Sequence, residues 1–174
     1  MAGTMSSRPR QSALRVLLFL TIATLAGTEA RGQYEVVSTS FNGFPLDGPS
    51  DLPVVSGNGR YVAFTSAATN LVPGDTNGSW DVFVKDRQTG ATVRVSVTSA
   101  GEERIGDSGG SRVAGNTIDI SDDGQVIVFA SYARLVDNDT NRCAGSVSEG
   151  ACQDIYVHVR ATGETSRVLS LIHI

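Results

Sequence analysis

The chain has 174 residues and a formal net charge of −4, enough for one ordinary domain of about 100–200 residues. Its 14 lysines and arginines are scattered rather than gathered into a stripe. That argues against nucleic acid as a partner, because phosphate binding needs concentrated positive charge.

At the N-terminus Arg8, Arg10 and Arg15 precede or open a short apolar run, Val16–Ala26, and small residues follow at Thr28 and Ala30. The run is shorter than the roughly 20 residues of a spanning helix, so the pattern predicts a cleavable signal peptide over residues 1–30. The expected location is secreted or periplasmic, with no stable membrane insertion after cleavage. Tyr34–Ser40 follows as a candidate strand, and Asn42–Asp51 as a loop rich in Gly, Pro and Asp.

From Ser56 the chain begins to repeat itself. Ser56, Gly59 and Phe64 recur as Ser121, Gly124 and Phe129, 65 positions on. Leu71, Val72, Asp75, Thr76 and Asn77 recur 64 positions on as Leu135, Val136, Asp139, Thr140 and Asn141. Asp81, Val84, Thr89, Gly90, Arg94 and Val95 recur 73 positions on as Asp154, Val157, Thr162, Gly163, Arg167 and Val168. A partial third copy opens the region: Val36–Gly43 matches Arg94–Gly101 at an offset of 58, which also carries Gly48 and Ser50 onto Gly106 and Ser108.

Each full unit divides into four short strands. In the first unit they are Pro53–Ser56, Arg60–Ser66, Trp80–Asp86 and Ala91–Val97; in the second, Thr117–Ser121, Gln125–Ser131, Asp154–Val159 and Glu164–Val168. The turns Gly57-Asn58-Gly59 and Asp122-Asp123-Gly124 use residue types that tolerate positive φ. Tyr61, Val62, Ala63 and Phe64 do not alternate with polar residues, which predicts a sheet buried on both faces. Short strands in repeating fours predict an all-β fold of consecutive antiparallel four-stranded blades, a β-propeller fragment.

The run Ser56-Gly57-Asn58-Gly59-Arg60-Tyr61-Val62-Ala63-Phe64, then Asp81-Val82-Phe83-Val84 with Asp86, Thr89 and Gly90, then Arg94-Val95-Ser96, resembles the WD-repeat-like blades of the TolB-type β-propeller family. The likeness covers residues 34–168, with blade one at about 52–97 and blade two at about 117–168. The family's usual Pro-Asp before the glycine is Gly57-Asn58 here. The resemblance implies an exported scaffold that binds a protein, a small molecule or a glycan without catalysis; the alternative is the propeller part of a larger secreted hydrolase. Two blades are fewer than the about 4–8 of a closed ring, so further blades or a partner are expected. Leu169–Ile174 matches nothing in the repeat and is set apart as a doubtful tail.

Three constellations could carry chemistry. Gly106-Asp107-Ser108-Gly109-Gly110 has the local form of a serine-protease nucleophile. That chemistry needs a base in the right geometry, and the histidines, His158 and His173, both come later. Gly106 and Ser108 also belong to the repeat, so the motif reads as a linker. Asp75, Asn77, Ser79 and Asp81 place oxygen side chains at alternate positions, as in the first half of an EF-hand-type loop, and are candidate calcium ligands. The competing reading is an Asx-turn network that caps the loop's own amides. Cys143 and Cys152 flank an insertion confined to the second unit, and in an exported protein they predict a disulfide. A loop of that length contributes on the order of 2–3 kcal/mol in the chain-entropy model.

Overall fold

The structure, a computed structural model, describes residues 35–109, 118–140 and 152–170. The segment 1–30 expected to be a signal peptide and Cys143 lie outside the described residues, as do residues 171–174 of the doubtful tail. The described residues form eight strands: β1 (Ser50–Val55), β2 (Tyr61–Ser66), β3 (Asp81–Asp86), β4 (Thr92–Arg94), β5 (Ile118–Ile120), β6 (Val126–Ser131), β7 (Asp154–Val159) and β8 (Glu164–Ser170). They make two four-stranded antiparallel sheets in the orders β1-β2-β3-β4 and β5-β6-β7-β8. Each sheet is therefore one repeat unit, and the architecture is all-β and propeller-like.

The hairpin turns recur side chain for side chain. Gly59 and Gly124 have φ of +69° and +72°, the left-handed region glycine enters freely. Ser56 Oγ accepts the Tyr61 amide at 3.0 Å, and Ser121 Oγ accepts the Val126 amide at 2.9 Å. Asn58 and Asp123 accept the amides of Arg60 and Gln125, at 2.9 and 3.0 Å. These bonds close each turn with partners from within it.

Strand register sorts each sheet into two faces. Tyr61 and Ala63 of β2 lie with Val82 and Val84 of β3 on the leading face; Phe64 and Phe83 lie directly opposite each other on the trailing face. In the second sheet Val126, Val128, Ile155 and Val157 lead, while Ile127, Phe129 and Tyr156 trail. The main core joins the leading face of the first sheet to the trailing face of the second, with Ile118, Ile120, Ala133 and Leu135 completing it. A smaller cluster of Phe64, Ala68, Leu71 and Phe83 covers the trailing face of the first sheet, with Val37 and Leu46 packed on it. All six residues of β2 and all six of β3 are consequently buried, which accounts for their unbroken apolar character.

Several boundaries differ from those the sequence suggests. Residues 35–40 form no strand. They are the repeat counterpart of a fourth strand, which needs the edge of a third strand, and among the described residues the third strands β3 and β7 already pair with β4 and β8. The segment instead lies across the trailing face, with Val37 in the small cluster. β1 starts at Ser50 rather than Pro53, and its register shifts between Asp51 and Val54. The irregularity falls at Leu52, whose φ is 51°, just ahead of a proline with no amide to give the ladder. β4 stops at Arg94 because the Val82 amide goes to Ser96 Oγ, at 3.0 Å, instead of to the carbonyl of its ladder partner Val95. β8 runs past Val168: Leu169 pairs with Ile155 and Ser170 with Asp154.

Candidate functional site

In both sheets the second strand ends and the third begins at the same edge: Ser66 faces Asp81, and Ser131 faces Asp154. The long loop after β2 and the connector leaving β4 both arise there, and the sequence's candidate chemistry lies on them.

Of the four candidate calcium ligands, Asp75 and Asp81 converge on a guanidinium. Arg94 Nη1 lies 3.0 Å from Asp75 Oδ1, 3.3 Å from Asp81 Oδ2 and 3.0 Å from Glu103 Oε2. Asn77 turns its nitrogen toward the group, donating to Asp81 Oδ2 at 3.0 Å and to the Arg104 carbonyl at 3.0 Å. Its oxygen accepts the Ser79 amide at 2.9 Å, the Asx-turn geometry. Ser79 Oγ accepts the Gly106 amide at 3.1 Å. Glu103 also binds the backbone and hydroxyl of Thr76, which holds its carboxyl below the ordinary range, with Arg94 adding to the effect. Burial lifts Asp81 to about 6, against the opposing pull of Ser96 and Arg94. Burial also raises Asp75, again with Arg94 opposing.

The second sheet repeats this arrangement. Arg167 Nη1 lies 2.8 Å from Asp139 Oδ1 and 3.2 Å from Asp154 Oδ2. Tyr156 donates its hydroxyl to Asp139 Oδ2 at 2.7 Å. Burial first, and the bond to Asp139 second, push that phenol far above its usual range. Sequence reasoning matched Arg94 to Arg167 without giving either a role. The usable signal was an arginine recurring in step with two acids, a built-in cation for a built-in pair of anions.

Ser108 of the protease-like motif is fully buried, with its Oγ 2.7 Å from Ser131 Oγ. Its repeat counterpart Ser50 bonds Ser66 in the same way, at 3.0 Å. A Cβ at Gly106 would lie 2.7 Å from the Ala133 nitrogen, so glycine is there for close backbone approach. The motif is the joint that seats the connector on the second sheet. His158 is buried too, and its Nδ1 sits 2.9 Å from Thr165 Oγ1. Burial, then the charge of Arg160, lowers its pKa. Cys152 is buried.

Between the connector and the long loop of the second sheet lies a cleft of about 350 Å³, lined by Thr98, Ser99, Glu102, Arg104, Val136 and Asp137 among others. Glu102 and Arg104 form an exposed ion pair at 3.0 Å. The cleft thus offers hydroxyls and both signs of charge on a frame held by the two sheets.

No family model matches the chain. No curated protein sequence matches it either. Among solved structures, dipeptidyl peptidase 4 of Porphyromonas gingivalis aligns over 70% of this chain at 18% identity with a TM-score of 0.40. The alignment takes in 18% of that protein's length. The fold assignment rests on the two sheets themselves.

Proposed function

We propose that the chain is an exported, non-catalytic propeller module of the TolB type that binds a protein, small-molecule or glycan ligand at the junction of its two sheets. The observation that carries this reading is the polar cleft built from Thr98, Ser99, Glu102, Arg104 and Asp137. Loops on a rigid scaffold are where recognition is concentrated. An exposed arginine–carboxylate pair can exchange partners at little cost, because such a pair is worth only about 0–1 kcal/mol. The two side chains that a catalytic reading would use are otherwise engaged, Ser108 with Ser131 and His158 with Thr165.

The test is a screen of oligosaccharide and peptide arrays with the full chain, repeated with an R104A/D137A double variant. Ligands that bind the parent and lose at least about tenfold in affinity, roughly 1.4 kcal/mol, with the variant would support the site. Hits that bind both proteins equally would remove the cleft from the proposal.

A further inference from the structure

The junction on the other side of the first sheet carries a second cleft, of about 230 Å³. Thr39, Ser40, Phe41, Leu71, Val72 and Lys85 are among its lining residues. It is the repeat counterpart of the first cleft: Ser40 and Phe41 correspond to Thr98 and Ser99, and Leu71 and Val72 to Leu135 and Val136. The chemistry of the two clefts differs. The first has charges on its rim. The second has a cation in its wall.

Lys85 is only 8% exposed. Its ammonium donates to Thr39 Oγ1 at 3.0 Å and to the Gly90 carbonyl at 2.7 Å. Both partners are neutral, and an ammonium has three donors. The nearby acids are committed elsewhere. Asp86 lies on the opposite face of β3 and takes both arms of Arg60, at 3.0 and 2.7 Å, while Glu35 pairs with Arg87 at 2.7 Å. Among the described residues no carboxylate lies within ion-pair distance of Lys85. A charge buried this far is costly unless an opposite charge meets it. At the corresponding place in the second sheet stands His158, which bonds Thr165 and carries no such demand.

We infer that this cleft is a binding site for a carboxylate on an apolar body, with the Lys85 ammonium and the neighbouring hydroxyls holding the carboxylate and Phe41, Leu71, Val72 and Pro73 receiving the rest. The apolar walls select this class over a bare inorganic anion, which has nothing to bury against them. The site is independent of the cleft at the other junction.

The experiment is titration of the isotope-labelled full chain with benzoate and, separately, with benzamide, followed by NMR. Saturable benzoate shifts are expected at Lys85, Phe41 and Thr92, with a Kd of roughly 1 mM or tighter, the scale for so small a ligand. Benzamide, of the same shape without the charge, should bind at least about tenfold more weakly. Lys85→Met should abolish the benzoate response. Phe41→Ala removes a side chain that is 55% exposed and should weaken binding several-fold without unfolding the chain. If Lys85→Met fails to fold, the benzoate-to-benzamide ratio and Phe41→Ala decide. Equal binding of the two probes, shifts confined to other surfaces, or no saturation by about 10 mM would each overturn the site.

Discussion

Removing Arg94 would leave Asp75, Asp81 and Glu103 grouped around an empty space. The Arg94 side chain is 9% exposed, and those of Asp75 and Asp81 are 3% and 1%. Breaking a buried pair by deleting one partner typically costs about 3–5 kcal/mol, and Arg94→Ala is expected to fall in that range by urea unfolding. The same variant bears on the calcium reading of the loop. With the guanidinium present, melting in calcium and in chelator should coincide; without it, added calcium should restore part of the lost stability. A parent protein whose melting temperature rises with calcium would show the metal entering despite Arg94. Acidity has its own effect here. Burial raises Asp81 to about 6 in the folded chain, from 3.8 unfolded. A group raised in this way takes up a proton on folding. Its contribution is full below the unfolded value and is lost as pH rises through about 6. Asp86 acts in the opposite sense, because Arg60 holds it below 3.8; its contribution is present above that value and lost as pH falls. Asp81 therefore adds a limb that climbs as pH drops from 7 toward 4, set against the buried His158, whose lowered pKa takes stability away over that range, and Asp86 brings the fall in stronger acid. Asp81→Asn should flatten the upper limb, read from urea midpoints at each pH.

At the scale of the element, the strands whose neighbours lie within the same repeat were legible. β2, β3, β6 and β7 have self-sufficient apolar runs, and their turns carry the Ser and Asn/Asp bonds that close them locally. The elements that resist reading depend on distant partners. Residues 35–40 have the composition of a fourth strand, but such a strand needs the free edge of a third strand, and β4 and β8 already occupy those of β3 and β7. The cation in the acidic loop was hidden for a related reason, since Arg94 reaches Asp75 and Asp81 from another strand. The turn glycines separate local from distant demands. Gly124 and Gly163 share nearly the same φ, +72° and +73°. A Cβ at Gly163 meets nothing within 4 Å, whereas one at Gly124 would lie 2.0 Å from Cδ2 of Tyr61 in the other sheet. The Tyr61 ring is also held by the Arg160 guanidinium, 4.2 Å from its centroid. Gly163→Ala should cost only the backbone strain, about 1 kcal/mol. Gly124→Ala adds overpacking, for a total of about 2–4 kcal/mol. Similar losses in thermal unfolding would show that the Tyr61 contact is loose.

For the whole molecule, the repeat makes a comparison inside one chain. Val84 and Val157 occupy the same position on the leading faces of their sheets. Val84 is 1% exposed because the second sheet packs on it. Val157 is half-buried, and its neighbour Val128 on the same face is 36% exposed. The residue type and strand position are the same, so the difference in their contributions comes from the sheet-to-sheet contact. Full burial of a valine is worth about 2 kcal/mol, with a further loss where the surroundings cannot close the space. Val84→Ala is expected to cost about 2–3 kcal/mol and Val157→Ala less than about 1 kcal/mol, measured by urea unfolding of the full chain. Equal losses would mean that the leading face of the second sheet is covered in solution as the first one is. Concentration dependence of the unfolding midpoint would then report whether another copy covers it, because only an associating fold gains stability with protein concentration.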